Sequence, residues 1–161
     1  MPSWIIVAII VLLAAAALAW IVIGRSSADP TPDGPKIDED ALIEQLRSYD
    51  VDLEREQTPP PDLLAPMIRK DEQLIDATRA HIEQRKALLA LLDDRLVSVE
   101  ATLGRMGGQA RVIPFDTIES TSHRTNMGGE LTIEADGTSY QFTHIPLRKF
   151  ERFVGELDKL T

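Results

Sequence analysis

The sequence predicts a membrane-anchored α+β protein, with one N-terminal transmembrane helix, a short helix plus a long coiled-coil-like helix, and a small C-terminal three-stranded antiparallel sheet with a closing helix. Three observations predict it. Residues 3–23 carry no charged side chain, which is the length of one bilayer span. Apolar side chains then recur at every seventh position from Ile68 to Leu103. After Gln109 the apolar period shortens toward two around an Asp136-Gly137 pair, the sign of a β-hairpin.

Residues 1–24 are read as the anchor. At roughly 1.5 Å per residue, the uncharged stretch reaches about 31 Å, matching a hydrocarbon core of ~30 Å. Trp4 and Trp20 stand near its ends, where an indole buries its ring and keeps its N–H wet, and Arg25 marks the polar boundary. A cleaved signal is the rival reading, but Met1, Pro2 and Ser3 supply no basic n-region. With Arg25 and Lys36 following the span and no cation before it, the positive-inside bias predicts a single-pass cell-membrane location with the remainder cytoplasmic.

Residues 25–37 hold three prolines and no large apolar side chain before Ile37, so they read as an extended tether. Asp38 is placed to cap a short amphipathic helix over 38–56, with Leu42, Leu46, Tyr49 and Leu53 on one stripe. Residues 57–65 contain Pro59, Pro60 and Pro61 and form a stiff break.

Residues 66–108 are then expected as the long helix. Ile68, Ile75, Ile82, Leu89, Leu96 and Leu103 occupy one heptad position, while Leu92 and Val99 fill the second in the C-terminal half. These eight residues are the predicted helix interface, with another copy or with the short helix folded back on it. Arg85 falls at a seam position, either snorkelling to water or selecting register by pairing with an acid such as Glu83 or Asp71 of a partner helix. Gly104, Gly107 and Gly108 supply the stop.

Residues 109–161 are expected to fold as β-β-β-α. Val112, Ile113, Phe115 and Ile118 mark a first strand, which Pro114 confines to a sheet edge or a bulge. Closing a two-residue turn at Asp136-Gly137 sets Ala135 opposite Thr138, Ile133 opposite Tyr140 and Leu131 opposite Phe142. A helix from Pro146 to Leu160 presents Leu147, Phe150, Phe153, Val154, Leu157 and Leu160 as the stripe that covers the sheet. The run Ile-Pro-Phe-Asp-Thr-Ile-Glu-Ser (113–120), then Gly-Glu-Leu-Thr-Ile-Glu-Ala-Asp-Gly (129–137), an aromatic strand and a closing helix resembles the C-terminal part of bacterial pleckstrin-homology-like domains. The resemblance covers about a third of the chain and carries no functional residues with it.

Chemistry is sparse. A net charge of -9 and the lack of a basic patch exclude non-specific nucleic-acid binding. With no Cys, thiolate metal sites and disulfides are absent. His81, His123 and His144 lack metal-ligand spacing, and the Asp50, Asp52, Glu54 run lacks the glycine and distal glutamate of a calcium loop. No catalytic set, cofactor or metal is expected. The partners expected are the lipid bilayer and either a second copy or a helical protein. The function expected is a single-pass scaffold that oligomerises through the long helix and presents the terminal unit, with a membrane-tethered sensor that binds a peptide or ligand as the alternative.

Overall fold

The computed structural model describes residues 33–53, 59, 61–101 and 108–161, all within a unit that spans 31–161. Helix α1 (Glu39–Ser48) opens it. The Asp38 carboxylate accepts from the Asp40 N–H at 3.0 Å, which satisfies one donor of the first turn, and Leu42 and Leu46 turn inward. Single 3₁₀ turns follow at Pro61–Leu63 and Ala65–Met67.

The rest is β1 (Asp76–Ile82), β2 (Arg85–Leu91), β3 (Arg95–Ala101), β4 (Gly108–Pro114), β5 (Ile118–Thr125), β6 (Gly129–Ala135), β7 (Thr138–Ile145) and helix α2 (Leu147–Leu160). The strands form one antiparallel sheet in the order β4-β3-β2-β1-β7-β6-β5. Two consecutive meanders, β1–β4 and β5–β7, therefore meet where β1 lies beside β7, with His81 paired to Thr143.

The sheet folds back on itself, because side chains from both meanders share a single core. Ile82, Leu89, Leu96 and Ile113 from the first pack with Leu131, Ile133 and Phe142 from the second. Helix α2 closes this core with Phe150, Phe153, Val154 and Leu157, which lie three, four and seven positions along from the first and so share one helical face. The opposite face of β1–β3 is buried too: Leu88, Ala90, Leu92, Val97 and Val99 lie under α1 and the 3₁₀ segment, against Leu42, Leu46, Leu64 and Ile68. At about 1.5–3 kcal/mol per buried Leu, Ile or Phe, these two layers supply most of the driving force.

Charged groups fix how the pieces meet. Arg152 on α2 holds Asp76 of β1 with two hydrogen bonds of 2.8 and 2.5 Å. The buried Lys149 ammonium donates to the Tyr49 carbonyl at 2.7 Å and also to that of Asp50, tying α2 to the end of α1. Arg95 forks onto Glu72 at 2.9 and 2.8 Å, both residues being buried. Burial pushes the Glu72 carboxyl up, but hydrogen bonds from Arg95 and Arg69 outweigh it and hold the group below its ordinary value.

Four expectations are corrected. The fold is a seven-stranded sheet, not a three-stranded one, and the long coiled-coil-like helix over 66–108 does not form, because residues 76–101 make three strands. The physical reason lies in β2. Its segment Ala87–Leu91 is buried on both faces, which erases the alternation of a one-sided strand and leaves a continuous apolar run rich in helix formers. The turn before it, Glu83-Gln84, takes φ values of 48° and 70°, a left-handed pair normally betrayed by glycine or asparagine. The recurrence of Ile82, Leu89 and Leu96 is thus one inner face read across three neighbouring strands.

The scaffold function falls with that helix, since the described residues of the seam it was to oligomerise through pack in the interior of this fold. The anchor over 1–24, with Trp4, Trp20 and Arg25, lies outside the described residues. Among those described, no helix is long and apolar enough to cross a membrane, so the single-pass cell-membrane placement is not carried further.

Candidate functional site

Strand order places β5 at one edge of the sheet, where it pairs only with β6 among the described strands. Beside that edge runs a groove of about 300 Å³ between β5 and α2. Its floor is Phe150 and Val154, and His123 meets the Phe150 ring edge-on at 6.1 Å. Glu151 and Asp158 of α2 form a carboxylate rim.

Two glycines shape this groove in opposite ways. A Cβ at Gly129 would stand 2.2 Å from Phe150 Cδ2, so the ring lies against bare backbone. Gly155 sits inside α2, where glycine costs about 1 kcal/mol relative to alanine, yet a Cβ there would meet nothing within 4 Å. No packing contact accounts for it. It leaves the groove open.

A second concavity of about 300 Å³ lies where β1 crosses β7. Arg79, His81, Lys86 and His144 line it, together with Pro146. The His81 and His144 rings stack with centroids 4.7 Å apart and planes 27° from parallel. His144 reaches that position through a β-bulge: Gly129 pairs with Ile145 and Leu131 with Phe142, three steps of β7 against two of β6. Its φ is 56°, a left-handed conformation unusual for a side-chain-bearing residue. The His144 Nδ1 lies 3.1 Å from the Thr143 hydroxyl. Burial, then the neighbouring His144 ring and the Lys86 ammonium, push the His81 imidazole below its ordinary value.

Two further clusters are structural. Glu72, Asp93 and Asp94 bring carboxylate oxygens within 4.8 Å of one another, but the Arg95 guanidinium already holds Glu72 and Asp94. Glu100 is 1% exposed on the inner face, with Arg85 and Arg111 nitrogens 3.3 and 3.1 Å from its oxygens but without hydrogen-bond alignment. Arg85 also reaches Glu83 at 3.0 Å, so its pairing is within the chain.

Seven of the eight residues expected at a helix interface are distributed through the sheet's two cores. Ile82, Leu89 and Leu96 are inner-face side chains, with Ile75 packed against them; Ile68, Leu92 and Val99 belong to the opposite layer. Leu103 lies outside the described residues, as do Gly104 and Gly107, while Gly108 begins β4. The hairpin register is the one read from the sequence: Ala135 opposite Thr138, Ile133 opposite Tyr140, Leu131 opposite Phe142. The expected first strand divides at a 3₁₀ turn, Phe115–Thr117, into β4 and β5. Pro114 ends β4, which is the sheet's other edge. Sequence reasoning missed the histidine pair, whose members are distant in sequence. It also passed over Gly155, a glycine within an amphipathic helical pattern that was visible as an anomaly.

No family model matches this chain, and no curated protein matches it. Among solved structures, the C-terminal domain of an unknown protein from Leishmania infantum is similar at 10% identity and a TM-score of 0.43, over 55% of this chain and 84% of that one.

Proposed function

We propose that this chain is a non-catalytic binding module of pleckstrin-homology-like architecture that takes an extended peptide as an added strand on β5. The observation that carries the reading is Gly155, a costly mid-helix glycine facing open space beside an edge strand with no outer strand partner among those described. An edge strand offers backbone donors and acceptors, and a groove beside it selects side chains on alternate residues of the guest. The apolar floor of Phe150 and Val154 suits an aliphatic side chain, while Glu151 and Asp158 favour a cationic neighbour. The architecture is supported by a four-strand and a three-strand meander followed directly by a closing helix.

The test uses the full chain and a fluorescent peptide of alternating valine and lysine, followed by anisotropy. That peptide binds, and its counterpart with aspartate replacing lysine binds about tenfold more weakly or worse. Gly155→Leu fills the groove and abolishes binding while thermal stability is kept or raised. Equal binding of the two peptides, or binding indifferent to Gly155→Leu, overturns the reading. A dimer that Gly155→Leu dissociates would replace the peptide with a second copy.

A further inference from the structure

We propose that the pocket between β1, β2 and β7 is an anion site that receives a phosphate group, free or as a phosphomonoester, between the His81 and His144 rings and the Arg79 guanidinium. It is separate from the β5 groove, and neither proposal depends on the other.

Four side chains that carry or can take positive charge converge there, and none of the described lining residues is a carboxylate. Arg79 makes no ion pair with an acid among the described residues. Pro146, also in the lining, is the N-cap residue of α2, and no side chain caps that helix. The positive end of the helix dipole therefore adds to the same field. His144 is held in a left-handed bulge that aims its ring onto His81, and such backbone outliers collect at ligand sites.

Charge accounts for the class of ligand. Two stacked imidazoles repel when both are protonated, and burial together with the neighbouring ring already disfavours a proton on His81. A dianion removes that repulsion and accepts hydrogen bonds from both rings, which binds the ligand and takes up a proton together. The groups that face the pair are Arg79 on β1, Lys86 on β2 and the first turn of α2, with Lys149 acting on Arg79 from further along that helix. From the other side, Glu130 of β6 acts on His144, and Glu130 is itself held by Arg124.

The test is calorimetry of the full chain with inorganic phosphate at constant ionic strength near pH 7.5, in two buffers of different ionisation enthalpy. Phosphate binds with net proton uptake. The double variant His81→Gln, His144→Gln binds about tenfold more weakly or worse and shows no uptake, whereas Arg79→Gln weakens binding but keeps the uptake. Phenyl phosphate run in parallel separates the sources: tighter binding than phosphate points to a phosphomonoester, equal binding to the free ion. The proposal is overturned if phosphate does not saturate, if the uptake survives loss of both histidines, or if the pair instead binds Zn²⁺ and ignores phosphate. His81→Gln alone, compared with the parent by thermal unfolding, shows whether loss of binding reflects loss of fold.

Discussion

Replacing Gly129 by alanine tests the packing of the closing helix against the sheet directly. The added Cβ would lie 2.2, 2.3 and 2.7 Å from three ring carbons of Phe150, where carbon atoms ordinarily rest ~3.5–4.0 Å apart. The ring must therefore retreat by more than an ångström. It has little room to do so, being 2% exposed and packed among Leu131, Phe153 and Val154. Overpacking of this kind costs about 1–3 kcal/mol, and the rigid aromatic neighbour places Gly129→Ala near the top, about 3 kcal/mol, or roughly a hundredfold in the folding equilibrium. Urea unfolding with linear extrapolation measures it. Phe150→Leu alone should cost about 1 kcal/mol, and the double variant should be more stable than the sum of the two by about 1–2 kcal/mol, because the smaller side chain yields. Gly155→Ala is the internal control. It meets open space inside a helix and should gain about 0.5–1 kcal/mol. A Gly129→Ala cost below about 0.5 kcal/mol, or strict additivity with Phe150→Leu, would refute the reasoning.

Glu72→Gln should cost about 3 kcal/mol near neutral pH, the low end for breaking a buried pair because Asp94 still holds Arg95 at 2.5 Å. The Glu72 carboxyl is held below its unfolded value, so its contribution is complete above about pH 4.3 and is lost as pH falls through the folded value; unfolding midpoints of parent and variant should converge in acid. For His81 the sign is opposite. Its folded pKa is lowered, so protonation favours the unfolded chain: in phosphate-free buffer the parent should lose stability as pH drops below about 6.5, and His81→Gln should lose less over the same range by thermal unfolding. A parent whose stability stays flat from about pH 7.5 to about pH 5 would remove that account.

Legibility followed how local each determinant was. Asp38 capping α1, the Asp136-Gly137 turn with its register, and the stripe of α2 all depend on residues a few positions apart, and all were open to reading from the sequence. The Glu83-Gln84 turn was not, because two side-chain-bearing residues adopt left-handed φ there under the pull of the flanking strands. The candidate sites divide the same way. Gly155 was visible as a glycine out of place in a helical pattern, whereas the His81–His144 stack requires β1 and β7 to be neighbours.

The sequence by itself determined the terminal hairpin, its closing helix and the capped start of the short helix, which ends at Ser48 rather than at 56, since hydrophobic period and turn chemistry act within single elements. Only the tertiary structure decided that residues 76–101 are strands. Helix propensity there amounts to tenths of a kcal/mol per residue, whereas burying Ala87–Leu92 between α1 on one face and the shared inner core on the other is worth several kcal/mol. That burial exists only once distant segments have met.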